Sequence, residues 1–205
     1  LSRDEHVAHV PRIHHGHNRA GHVVHRPGID ASRVEHDDVG FLARRQRSYL
    51  VGQPICCGAG DGGQVVVLSG PDAERYRHGV LGDAVEATRV SLLERHSLTV
   101  LRELVLDVPH VLEDIAPRRV TLGPRDGLLT VQSGPLGAQL VLVDAEPASS
   151  ASLRVAARGP ALGTVNRWLS PITDGRHWLA VHTPHIGGVL HAYRRDGNNL
   201  HAARI

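Results

Sequence analysis

Three observations predict an all-β fold: a partial β-propeller with two clear blades, a candidate third, and a disordered histidine-rich N-terminal segment. Short apolar runs alternate with turn signals from Gln64 onward, an internal repeat recurs at an offset of 50 residues, and the composition changes near residue 60. On this basis residues 1–63 form a poorly ordered arm and linker, and residues 64–205 form repeated sheets with blades near 64–117, 118–160 and 161–205.

The repeat carries most of the weight. Leu128 to Val143 (LLTVQSGPLGAQLVLV) lies over Trp178 to Tyr193 (WLAVHTPHIGGVLHAY) without a gap. Leu129 then falls on Leu179, Val131 on Val181, Gly137 on Gly187 and Leu140 on Leu190, while Ser133 and Leu136 meet Thr183 and Ile186. Each copy has an Asp-Gly pair before it (Asp126-Gly127, Asp174-Gly175), two strands joined by small residues, and a further strand, Leu153 to Arg158 or Leu200 to Arg204. One small sheet cannot bury its own faces, so repeats of this length with several strands each stack radially. A helical solenoid fits less well, because Leu129 and Val131 alternate with period two and Gly134-Pro135 and Gly187-Gly188 break helices. Upstream, Val65 to Leu68, Thr88 to Leu93 and Leu98 to Leu106 supply the strands of a third blade, with an insertion between Ser69 and Ala87. Helical spacing of Leu98, Leu101, Val105 and Leu106 leaves a helix over Leu98 to Asp107 open.

Residues 1–63 hold eight of the sixteen histidines, lack periodic hydrophobicity and end in Cys57-Gly58-Ala59-Gly60-Asp61-Gly62-Gly63. Neutral imidazoles bind zinc, copper or nickel, so His14, His15, His17, His22 and His25 are the candidate metal ligands, and weak zinc chelation by the arm is one reading. Their spacing matches no catalytic signature. Irregular histidine density also arises from out-of-frame translation, and an unnatural origin for residues 1–63 stays open beside chelation. All 23 basic residues are arginine, and lysine and methionine are absent, a bias that GC-rich coding produces; the missing initiator suggests a fragment or a processed chain. The formal charge of +2 is evenly mixed and points to neither nucleic acid nor a membrane surface. No apolar run approaches the roughly 18 residues that cross a bilayer, and no signal-peptide core begins at Leu1. Cys56 and Cys57 are too few for a structural zinc site and read as ordinary thiols.

Four motifs carry a resemblance: Arg75 to Ala87 (RYRHGVLGDAVEA), Val111 to Arg118 (VLEDIAPR), Asn166 to Pro171 (NRWLSP) and Thr183 to Leu190 (TPHIGGVL). In this order they resemble bacterial FG-GAP/VCBS repeat-containing proteins over about residues 64–205. The resemblance implies a seven-bladed propeller, usually periplasmic or extracellular, whose loops often bind calcium through Asp-x-Asp-x-Asp-Gly. Calcium takes six to eight oxygen ligands, which alternating aspartates supply. Here the loops read Leu122-Gly123-Pro124-Arg125-Asp126-Gly127 and Ser170-Pro171-Ile172-Thr173-Asp174-Gly175, each with one carboxylate, so calcium is not expected and Asp126 and Asp174 read as turn residues. Asp196-Gly197 reads as a hairpin turn. Too few blades are present to close seven, so remaining blades or a second copy would complete the ring.

The functional expectation is a non-enzymatic binding or scaffold module for an unidentified protein or carbohydrate ligand. The candidate recognition rim is His78, Asp83, Asn166, Arg167 and His185. His78 with Asp83 and Glu86 also has the make-up of a proton-transfer group, although such residues more often fix loops, and Glu113-Asp114 and Arg118-Arg119 invite the same structural reading. Trp168 and Trp178 fill the space between blades, or Trp168 joins the rim. His182 and His185 face a channel or merely bridge strand ends. A propeller-type hydrolase or lyase, and a metal-chelating arm on a structural domain, are the alternatives. No serine-nucleophile motif, phosphate loop or cysteine centre is present.

Overall fold

The computed structural model describes residues 50–57, 63–82, 84–122, 125–144 and 152–205, with side chains from residue 63 onward except that of Arg125. The chain is all-β, with no α-helix among the described residues. Thirteen strands follow in order: β1 Leu50–Cys57, β2 Gln64–Asp72, β3 Glu86–Glu94, β4 Val100–Val105, β5 Val111–Leu112, β6 Arg118–Leu122, β7 Arg125–Ser133, β8 Gln139–Asp144, β9 Arg154–Arg158, β10 Leu169–Thr173, β11 Trp178–His182, β12 Val189–Asp196 and β13 Asn199–Arg204.

Neighbour pairing sorts twelve of these strands into three antiparallel four-stranded meanders, β1 to β4, β6 to β9 and β10 to β13. The two-residue β5 bridges β3 and β7 and links the first two meanders. Single parallel contacts also join successive meanders, Glu103 of β4 with Ser152 just before β9, and Arg158 of β9 with Asn199 of β13.

Alternation along the central strands explains the packing, because successive side chains of a strand point to opposite faces. In the middle meander Leu129 and Val131 of β7 lie opposite Leu142 and Leu140 of β8 on one face, and Leu128 lies opposite Val143 on the other. The first set packs on Leu169, Trp178, Ala180, Tyr193 and Leu200 of the third meander. The second packs on Val66, Leu68, Val90 and Leu92 of the first. The middle meander thus has a core on each side. Burying one such leucine contributes on the order of 2 kcal/mol.

Local chemistry sets the ends. Asp174 accepts hydrogen bonds from the backbone N–H groups of Arg176 and His177 at 2.9 and 2.7 Å, and Gly175 turns at φ +94°. The β12–β13 hairpin closes through Gly197 and Asn198, with Gly197 at φ +58°. The Asp126-Gly127 pair differs from its turn reading. Both residues lie within β7, opposite Thr121 and Val120, and a Cβ on Gly127 would meet Leu122 Cδ1 at 2.6 Å. Gly127 therefore serves close side-chain packing, within a pairing that runs on to Leu122 opposite Arg125. The helical alternative over Leu98 to Asp107 is also overturned: β4 pairs with β3, and Leu98 at φ +58° closes the hairpin. β1 falls within the segment assigned to the arm and pairs with β2 from Leu50 opposite Ser69 to Cys57 opposite Gln64. The five histidines His14, His15, His17, His22 and His25 lie outside the described residues.

Candidate functional site

The long β2–β3 connection reaches out of the first meander and lies against loops of the other two. Arg75 anchors its start by donating to the carbonyls of Leu106 and His110 at 3.1 and 3.2 Å. Tyr76 is buried, and its hydroxyl accepts the Asn166 N–H at 2.8 Å. His78 Nδ1 is hydrogen-bonded to the Glu113 carboxylate, and Val80 and Leu81 pack on the core between the second and third meanders. Residues from all three meanders therefore meet at one end of the molecule.

Glu113 is the centre of this cluster. It follows β5, its N–H donates to Val131 O at 3.1 Å, and its side chain has no solvent exposure. Ser133 Oγ donates to Oε2 at 2.5 Å, and His78 holds Oε1. The Glu113 carbonyl accepts the Trp168 indole N–H at 2.9 Å. Burial pushes the Glu113 carboxyl above its ordinary range, opposed by the bonds from Ser133 and His78. Next to it, Asp114 is buried and pushed up by burial, and takes Arg118 Nη1 at 2.7 Å and Thr130 Oγ1 at 2.9 Å. Burial likewise raises the Tyr76 phenol.

The exposed side of this end is built on loops held in restricted conformations. Asn166 and Thr183 sit at φ +62° and +47°, the latter uncommon for a β-branched residue. Thr183 starts a short 3-10 turn, Pro184–Ile186, and its N–H donates to Trp168 O at 2.8 Å. Gly137 fits against the neighbouring loop so closely that a Cβ would lie 2.3 Å from Thr164 O. Leu136, Val165 and Ile186 are 64 %, 49 % and 56 % exposed, so large apolar groups stand in solvent on these loops.

Three of the five candidate residues lie near one another. His78 and His185 face each other with ring centroids 6.1 Å apart, and Asn166 meets Tyr76 beside them. Arg167 adjoins on the backbone, its carbonyl accepting the Ala138 N–H at 2.8 Å. Asp83 lies outside the described residues. Trp168 leaves the rim for the interior: it and Trp178 are both buried in the same core. Their polar ends differ, for the Trp178 indole nitrogen is buried without a hydrogen-bond partner. Asp126 is engaged by Arg119 at 2.6 Å. Among the described residues no group of three or more histidine, cysteine, aspartate or glutamate side chains is placed to hold a metal ion.

His182 belongs to a separate cluster on the third meander. Its ring stacks on His191 with centroids 3.7 Å apart and planes 13° from parallel, and its Nε2 is hydrogen-bonded to the Tyr193 hydroxyl at 2.7 Å. Burial, and secondarily His191, lower its pKa to about 4. Burial pushes the Tyr193 phenol far up.

Sequence reasoning underrated Glu113 and passed over Tyr76 and Ser133. A signal existed in the acidic pair Glu113-Asp114, which directly follows the apolar Val111-Leu112. Comparisons with protein-family models and with curated proteins find no match for this chain.

Proposed function

We propose that this chain is a β-propeller-type repeat module of the FG-GAP/VCBS kind that acts by binding, with its recognition surface on the loop end carrying His78, Asn166, Arg167 and His185. Three four-stranded antiparallel meanders, linked into one thirteen-stranded sheet and sharing two apolar cores, support the architecture, since radial sheet arrays are built from such units. The observation that carries the functional reading is the β2–β3 connection, locked to the other meanders through Tyr76 and His78. It fixes loops of all three meanders into one preformed rim bearing Leu136, Val165 and Ile186 in solvent. Preformed apolar groups flanked by imidazole and amide suit a protein or carbohydrate ligand, because little ordering entropy is lost on binding.

One observation favours a second reading, a hydrolase or lyase: a carboxyl raised by burial, between a hydroxyl and an imidazole, is a proton donor in waiting. Glu113 has no solvent exposure, whereas the His78 side chain retains 14 %, so the carboxylate braces the histidine and the histidine meets solvent.

The test screens the chain against arrays of glycans and of peptides in parallel with its N166A/H185A variant. Binding that falls at least tenfold in the variant, with the ligand recovered intact, is expected. Binding indifferent to the two substitutions would refute the rim. Ligand cleavage abolished by Glu113→Gln would establish the enzymatic reading instead.

A further inference from the structure

The loop that carries His185 and Ile186 is closed at its neck by two stacked imidazoles. His182 ends β11 and His191 lies near the start of β12, so they stand on the two legs of the loop of residues 183–188. Their rings are 3.7 Å apart and 13° from parallel. Each ring is pinned at one nitrogen: His182 Nε2 is hydrogen-bonded to the Tyr193 hydroxyl at 2.7 Å, and His191 Nδ1 donates to the Val189 carbonyl at 3.0 Å. Beyond the neck the backbone is strained. Thr183 sits at φ +47°, ψ +54°, and is held there by its N–H donating to Trp168 O at 2.8 Å and its carbonyl accepting the Ile186 and Gly188 N–H groups at 2.9 and 3.1 Å. A strained β-branched residue keeps such a conformation only while its surroundings over-determine it, and this conformation sets His185 opposite His78.

We infer that the His182–His191 stack is a pH-operated latch on this loop: neutral imidazoles hold the neck closed, and protonation of the pair in acid opens it. The inference deepens the rim reading and rests on it only for the consequence, that opening withdraws His185 and Ile186 from the binding surface. A proton on each ring sets two cations 3.7 Å apart, where they repel. No carboxylate steadies them: among the described residues neither imidazole has an ion-pair partner, and the charged residue opposite His191 on β13 is Arg204. The other groups around the pair are Tyr193, whose phenol burial keeps neutral, His185 along the loop, Leu169 opposite His182 on β10, and Gly159 after β9, which lies against the Tyr193 ring. His78 differs, because the Glu113 carboxylate accommodates a proton there. Burial, and secondarily His191, lower the His182 pKa to about 4, so the hold is complete above the ordinary imidazole value and is lost as pH falls toward about 4.

The experiment follows amide hydrogen exchange of the full chain from about pH 7 to about pH 4, as protection relative to the intrinsic rate at each pH. The Thr183 and Gly188 N–H groups report the latch, and the Ala138 N–H, which donates to the Arg167 carbonyl, reports the neighbouring loops. The same series is run on His182→Phe, which keeps a ring on His191, and on His182→Gln, which keeps a hydrogen-bonding group for Tyr193; neither takes up a proton. Protection of Thr183 and Gly188 that falls at least tenfold in the parent chain, with Ala138 unchanged, and that persists at about pH 4 in the two variants is the expected result. Protection retained by the parent chain at about pH 4, or lost equally in both variants, would overturn the latch. So would a matching loss at Ala138, since acid would then be loosening the whole end. Exchange is read with no ligand present, so a rim that fails the glycan and peptide screen leaves this result standing, and a latch that fails leaves the rim.

Discussion

The middle and last meanders share a sequence pattern and, in their two central strands, a pairing register at an offset of 50 residues, and they differ in what lies on them. Leu129, Val131, Leu140 and Leu142 have no exposure, whereas the equivalent Leu190 is 37 % exposed and Leu179, Val181 and Ala192 are half-buried. The alternation of a strand decides which residues share a face, and the neighbouring sheet decides whether that face is core or surface. Identical residues therefore carry very different energetic weight in the two copies.

The largest expected contrast comes from truncating equivalent leucines. Leu140→Ala should lose about 2–5 kcal/mol in denaturant unfolding, through lost burial and the cavity left behind, whereas Leu190→Ala should lose less than about 1 kcal/mol. Equal losses would mean that the two faces are covered alike.

The next contrast uses equivalent glycines. Gly137 and Gly187 both have positive φ, +78° and +105°, but a Cβ on Gly137 would strike the Thr164 carbonyl at 2.3 Å, while nothing lies within 4 Å of one on Gly187. Gly187→Ala should cost about 1 kcal/mol from backbone strain alone. Gly137→Ala should cost about 3 kcal/mol, because the loop of Thr164 to Arg167 must shift as well. Thermal unfolding of the pair gives the comparison.

A pH contrast follows from His182. Unfolded, it takes up a proton near its ordinary pKa of 6.5; folded, it does so only near 4. Above the unfolded value its contribution to stability is complete, and it is lost as pH falls from about 6.5 to about 4. The site is only half-buried, so solvent screening limits the loss to about 1–2 kcal/mol. Titrating stability across this window should show the loss, and His182→Phe should flatten that part of the profile.

The smallest effect belongs to the two Asp-Gly pairs. Asp174 holds two backbone N–H groups, and Asp174→Ala should lower the unfolding midpoint slightly, in the direction that loss of a comparable cap does. Asp126 makes an exposed pair with Arg119, so Asp126→Ala should cost less than about 0.5 kcal/mol.

These pairs also show how far the sequence could be read. The strands of the repeat were legible because Leu129 and Val131, or Leu179 and Val181, alternate with period two and turn chemistry bounds them; β9 and β13 followed from the same repeat. Asp126-Gly127 misled because the same dipeptide serves a turn at Asp174-Gly175 and, one meander earlier, close packing inside β7, which only Leu122 across the strand reveals. At Leu98 to Leu106, apolar spacing alone left helix and strand unresolved, and pairing with β3 decided it. Of the cluster around Glu113, His78, Asn166 and His185 are candidates in the sequence and Glu113 reads there only as a loop-fixing residue, whereas Tyr76 and Ser133 carry no such signal. Their roles come from contacts 20 to 90 residues apart in sequence, Ser133 with Glu113 and Asn166 with Tyr76, which no local pattern encodes.

The central claim is that the middle meander is packed on both faces by its two neighbours. Methyl-labelled NOESY tests it most directly. Contacts from Val131 and Leu140 methyls to the Trp178 and Tyr193 rings, together with contacts from Leu128 and Val143 methyls to those of Val66 and Leu92, are the result expected. Contacts from one of these faces alone, with the other open to solvent, would contradict it.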